Sequence, residues 1–229
     1  MVKKLNLCYL FFAMCFHSQL TSDAQKLEKR YKAKFPSKDN YHTKERISGF
    51  EFGNQPILAN NEENTLQLAH WGLVPKSSSS LEIRKVTLNA RQETLHIKNA
   101  FKHSLNSRCL VPLTAFYEWK WLDPKGKNKV QFEINLKGEE IFSVAGLWDE
   151  YTIRSTGKVY RSFAIITTAA NELMSEIHNT KKRMPLAILP KFENDWLKGE
   201  PLESFLNLEI DWQAKALQNG SWLEQKTLF

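Results

Sequence analysis

RCLVPLTAFYEWKWL, residues 108–122, is an almost unbroken run of apolar and aromatic side chains, rich in the residue types that favour strands. DPKGKN (123–128) follows as a turn, and VQFEINL (130–136) then alternates apolar and polar residues as a half-buried strand does. KGEE (137–140) turns the chain again, IFSVAGLWDEY (141–151) and VYRSFAIITTA (159–169) are further strands, and RSTGK (154–158) separates them. Strands joined by short Gly- and Asp-containing turns predict a run of antiparallel hairpins. Working outward, TLQLAHW (65–71) alternates like a strand and ends in the turn GLVP, and LAIL (186–189) reads as one more short strand.

The helical signals are few and lie at the edges. Ala24, Leu27 and Tyr31 recur at helical spacing in a basic segment over 21–35, which Ser22 or Asp23 can cap. RQETLHIKNAFKHSL (91–105), NELMSEIH (171–178) and FENDWLKG (192–199) also read as helices. Residues 36–64 read as polar and irregular, and KSSSSLE (76–82) as a surface loop. The expected fold is α+β: a single domain with a mostly antiparallel, barrel-like β-sheet and peripheral short helices.

Composition narrows the function. In 229 residues, 42% hydrophobic and 12% aromatic content suffice for one core, and 25% charged residues argue against disorder. Lys and Arg exceed Asp and Glu by 32 to 25, a net charge of +7 that fits a polyanionic partner. The three cysteines, Cys8, Cys15 and Cys109, are odd in number and widely spaced, so they form neither a disulfide framework nor a zinc site.

The first residues, MVKKLNLCYLFFAM, allow two readings. Lys3 and Lys4 ahead of the apolar run Leu5–Met14 have the grammar of a signal peptide, too short to span a bilayer. Alternatively, 1–14 is an extension outside the folded domain and Met14 is the working start, which would leave Cys15 with a free amine beside its thiol.

Several side chains could carry chemistry. Glu118 stands among Phe116, Tyr117, Trp119 and Trp121, where partial burial would raise its pKa toward a range useful for proton transfer; an outward-facing strand charge is the competing reading. His178 ends a helix ahead of the basic loop NTKKRMP, as a general acid/base or simply as a residue suited to a helix C-terminus. Asn89 and Arg91 in LNARQE could fix an amine and a phosphate, or serve as a cap and a surface charge. Trp71 and Trp119 are candidates for base stacking, with core packing as the alternative.

The order of these motifs carries more than any one of them. MC (14–15), WGLVP (71–75), LNARQET (88–94), RCLVPLTAFYEWK (108–120) and IHNTKKRMPLAIL (177–189) resemble the SOS response-associated peptidases, the SRAP family of abasic-site processing proteins. The resemblance places the functional start at Met14, giving a dispensable segment 1–14 and a domain over 15–229. It implies a covalent thiazolidine crosslink between the N-terminal Cys15 and the aldehyde of an abasic site in single-stranded DNA. It also implies that Asn89 holds the Cys15 terminus, that Glu118 moves protons with His178 beside it, and that Arg91 and Arg183 face the DNA backbone. Trp71 and Trp119 would contact bases or shape the pocket. No cofactor or metal is expected, and the protein would be a cytoplasmic monomer without a membrane partner. Two departures stand out. Phe16 and His17 follow Cys15 where the family often has Gly-Arg, and no Asn-x-Ala-Pro occurs between Tyr41 and Gln55. The basic TKK (180–182) ahead of Arg183 would supply replacement phosphate contacts. Rival readings are a thiol peptidase using Cys15 and His178, a secreted or lipid-anchored binding protein with 1–14 as its signal, and a reversible single-stranded nucleic-acid module.

Overall fold

The computed structural model describes residues 16–217. Cys15 and the extension before it therefore lie outside the described residues. In chain order the elements are β1 (His17–Leu20), α1 (Ala24–Tyr31), β2 (Lys44–Ser48), β3 (Asn54–Ala59), β4 (Leu66–Trp71), β5 (Asn89–Arg91), β6 (Arg108–Leu113) and β7 (Ala115–Trp121). They continue with β8 (Lys129–Leu136), β9 (Phe142–Thr152), β10 (Val159–Ala169), α2 (Glu172–Ile177), β11 (Arg183–Pro185), β12 (Ala187–Ile188), α3 (Glu193–Lys198), α4 (Glu203–Leu206) and β13 (Trp212–Ala216).

Two sheets result. Strands β10, β4, β3, β6 and β9 pair in that order, and β9 pairs back to β10, which closes a five-stranded barrel. Only the β10–β4 contact in this ring is parallel. The second sheet is antiparallel throughout, in the order β13-β8-β7-β1-β2. The α+β architecture with a barrel-like sheet and short peripheral helices is thus the one expected from the strand-rich middle of the chain.

Residues 108–122 hold the two sheets together. β6 is a barrel strand, Thr114 is a pivot, and β7 belongs to the second sheet. The Thr114 amide donates to Gln19 O (2.9 Å) and its hydroxyl donates to Gln19 Oε1 (3.1 Å), so the break is pinned to β1. β6 reads as an unbroken apolar run because both of its faces are covered.

Three expectations differ from the structure. The turn KGEE does not make a hairpin: β8 stays in the second sheet and β9 enters the barrel. Residues 36–64 contain β2 and β3, and β3 is fully within the barrel; its Pro56 and polar start mask the pattern. Residues 91–105 form a short 3-10 turn at Gln92–Thr94 and then successive tight turns, not a helix. Only Leu95, Phe101 and Ser104 of that segment are buried, while Ile97 is exposed, so there is no continuous apolar stripe to hold a helix on the body.

Helices α1 and α2 follow their caps. Asp23 accepts from Lys26 N at 2.9 Å and Asn171 from Met174 N at 3.0 Å, starting α1 and α2. The bidentate Arg30–Glu193 pair (2.9 and 2.7 Å) ties α1 to α3, and Ser143 of β9 donates to the same carboxylate at 2.6 Å. The splayed ends of β9 and β10 are bridged by β11 and β12: Leu186 N donates to Ile166 O (2.9 Å), and Ala145 N donates to Leu186 O (2.8 Å). That wedge brings the loop after α2 against the second sheet. No helix among the described residues is long and apolar enough to cross a membrane.

Candidate functional site

Glu118 sits on β7 and His178 caps the C-terminus of α2, sixty residues on in sequence and adjacent in space. They are 6% and 4% exposed. Ala115 to Glu118 are all buried, so this half of β7 is covered on both faces and Glu118 lies within the body. The outward-facing reading of Glu118 does not apply.

His178 Nδ1 lies 3.9 Å from Glu118 Oε1 and 3.0 Å from the carbonyl oxygen of Arg183. A carbonyl only accepts, so Nδ1 carries a proton and donates it to Arg183 O. The ring is thereby held in one orientation, with its Nδ1 proton directed at Arg183 O. The carboxylate is within ion-pair range of the ring but beyond a hydrogen bond.

A residue that sequence reasoning missed fixes this arrangement. Asn179 Nδ2 donates to Trp121 O at 2.8 Å, and Trp121 N donates to Asn179 Oδ1 at 3.1 Å. The side-chain amide thus acts as a strand partner for the end of β7 and clamps the loop after α2 beside Glu118. Its signal in sequence was only its place after His178. Lys182 completes the loop in a left-handed conformation, φ 51°, with its carbonyl accepting from Ala170 N at 3.0 Å.

Arg183 turns inward and is 12% exposed at its side chain. Its guanidinium donates to Glu93, and to Thr167 O at 2.6 Å. Glu93 is held below the usual carboxylate range by Arg183, against the opposing effect of its own burial. Thr167 is also the point where β10 pairs with Arg91 of β5 and with Pro185 of β11. Asn89, Arg91, Arg183 and His178 are therefore gathered around one end of β10. Arg91 is exposed and Asn89 half-buried.

Trp71 is 1% exposed, lies nearly parallel to Phe163 (interplanar 10°) and donates from Nε1 to Leu88 O at 2.9 Å. It shapes the wall behind Asn89 by holding the preceding carbonyl. Trp71→Phe removes that donor and leaves a buried acceptor one partner short. The expected loss is about 2 kcal/mol of stability, seen as a lower urea midpoint at unchanged slope.

Trp119 is half-buried and meets the His17 ring edge-on, centroids 5.1 Å apart. Burial, with the Arg46 charge as a smaller cause, pulls His17 down to about 4. His17 is therefore neutral at pH 7 and does not replace the basic residue that the family often has near this position. β1 pairs with β7 through His17–Tyr117 and Ser18–Phe116, which sets the start of β1 at the stretch of β7 that holds Glu118 and Trp119. Cys109 is wholly buried in the barrel with its thiol pushed far up by burial, which leaves it inert. No group of three or more His, Cys, Asp or Glu among the described residues could hold a metal ion.

The chain matches the family described as SOS response associated peptidase (SRAP) over residues 14–218. It is 36% identical over 163 residues to "Abasic site processing protein YoqW" of Bacillus subtilis, covering 71% of this chain and 67% of that protein. "Abasic site processing protein HMCES" of Xenopus tropicalis is 27% identical over 160 residues, 58% of this chain, and the chain spans about half of its length, 47%. A solved structure of a Bacteroides thetaiotaomicron protein superimposes with a TM-score of 0.81 at 32% identity, covering 90% of this chain and 93% of that one.

Proposed function

Because the chain belongs to the SOS response associated peptidase family, we propose that it processes abasic sites in single-stranded DNA by covalent capture at Cys15. The relatives named as abasic site processing proteins support the substrate. The observation that carries the reading is the buried Glu118–His178 pair set beside the entry of β1, directly after Cys15 in sequence. The family match beginning at residue 14 supports a working start at Met14, with Cys15 exposed as the terminal residue once 1–14 are absent.

The chemistry balances without a cofactor. The Cys15 amine condenses with the C1′ aldehyde, releasing water and forming an imine. The thiol then adds across the C=N bond, its proton ends on nitrogen, and a five-membered thiazolidine results. Ring closure is intramolecular, where effective molarities reach about 10⁵ M or more. A terminal amine with a pKa near ~8 is partly neutral at pH 7 and able to attack. Glu118 moves the protons of sugar opening and dehydration, with the fixed His178 beside it. Asn89 orients the amine, and Arg91 meets a phosphate. Arg183, its guanidinium engaged by Glu93 and Thr167, supports the site from inside while facing the same strand path.

The test is incubation with single-stranded DNA bearing one abasic site, read by denaturing gel and by mass spectrometry of the adduct and the native N-terminus. A thiazolidine on Cys15 is expected. Reversible binding alone, or modification of a peptide mixture in its place, would sink the reading. Within it, Arg91→Ala should weaken binding and flatten the salt dependence of log Kd by about one unit of slope. The crosslinking rate at saturating protein should hold within a few-fold.

A further inference from the structure

The β7–β8 hairpin, immediately beyond the Glu118 strand, is a built and strongly basic loop. Asp123 is its only acid, and the carboxylate turns inward: it accepts from Lys125 N (2.9 Å), Lys127 N (3.3 Å) and Asn128 N (2.6 Å). Those amides hold Asp123 below its ordinary range, so it stays ionised and fastened to the loop's own backbone. Gly126 closes the turn at φ 62° and lies against Trp121, where an added Cβ would come within 2.6 Å of the indole. Lys125, Lys127 and Lys129 are exposed, and Lys129 Nζ sits 4.9 Å from the Trp121 ring centroid. Asn179 grips Trp121 itself, so the loop carrying Lys181 and Lys182 is joined to the base of the same hairpin.

We propose that this hairpin is a preshaped phosphate-binding arm that carries the flanking backbone of single-stranded DNA away from the reactive centre. Its lysines are displayed by a loop whose shape is fixed before binding, so less ordering is needed when the phosphates dock. The inference rests on the proposed function for the identity of the polyanion.

The experiment uses the full chain and an undamaged thirty-nucleotide oligothymidine, with affinity followed by fluorescence anisotropy across salt. Lys125→Gln/Lys127→Gln/Lys129→Gln should flatten the slope of log Kd against log salt by about 2 units. Lys29→Gln/Lys32→Gln/Lys198→Gln removes the same charge from other exposed positions and should change the slope by less than a quarter of that. Gly126→Ala keeps every lysine but disturbs the turn, and should lose at least half as much affinity as the triple hairpin variant. Equal losses in the hairpin and control variants would reduce the effect to net charge and overturn the arm. So would a Gly126→Ala protein that binds normally. If the unaltered protein forms no crosslink, covalent capture fails, while the binding series still decides the arm.

Discussion

Cys15→Ala should abolish the heat-stable crosslink to abasic single-stranded DNA and leave salt-sensitive binding within a few-fold of the unaltered protein. The two effects separate because different atoms supply them. On the proposed function, reversible binding would be carried by cations such as Arg91 and the hairpin lysines, and would depend on counterion release. The proposed crosslink would depend on one aminothiol, which no other cysteine could replace: Cys109 is fully buried with its thiol pushed far up, and an internal cysteine has no amine. With alanine at the terminus the amine survives, so an imine should still form and be trapped by borohydride. Without reductant it hydrolyses. The gel should therefore show a band for Cys15→Ala only when reductant is added, and for the unaltered protein in both lanes. Extending the chain so that a residue remains ahead of Cys15 should remove the band formed without reductant, since the Cys15 nitrogen is then a peptide nitrogen and cannot close a thiazolidine. A heat-stable adduct in Cys15→Ala without reductant would place the reactive atom elsewhere.

The strands were legible where each is covered in the way its composition implies. VQFEINL alternates and is β8; VYRSFAIITTA is apolar on both faces and is β10, buried in the barrel wall. What the sequence hid was the partner of each strand. Nothing in KGEE distinguishes a hairpin from a passage between sheets, because that choice depends on Thr114 and Gln19 joining residues far apart in the chain. β3 was hidden because Pro56 sits in a barrel strand. The segment 91–105 has good helix formers, but its buried residues do not recur on one face, and tertiary packing overrode propensity. At the site, Glu118 and His178 were recognisable from residue type and motif. Their contact, the ring orientation set by Arg183 O and the grip of Asn179 on Trp121 are consequences of long-range pairing. Arg183 adds a further case: its motif suggests a DNA contact, and its hydrogen bonds to Glu93 and Thr167 are set by pairing that the motif does not show.

Glu118→Gln should lower the crosslinking rate at saturating protein by about 10²–10⁴-fold, the usual worth of a positioned general acid–base group. Glutamine keeps the length, the planarity and one acceptor oxygen of the side chain, so the buried space on the inner face of β7 stays filled. It removes the exchangeable proton and the negative charge 3.9 Å from His178 Nδ1. Opening the abasic sugar and expelling water from the carbinolamine both require a proton to move, and the fixed ring of His178, its Nδ1 already committed to Arg183 O, cannot do so from that atom. DNA affinity should change by less than about threefold, because the buried carboxylate, 6% exposed, is not a phosphate contact. His178→Gln should slow the reaction by less than Glu118→Gln if the imidazole orients the carboxylate, and by as much if it is a proton carrier in its own right. The double variant reports their coupling: a loss well short of the product of the single losses means that they act as one unit. Should Glu118→Gln weaken binding and leave the saturated rate untouched, Glu118 would be a structural strand residue, and proton transfer would have to come from another group near the end of β10.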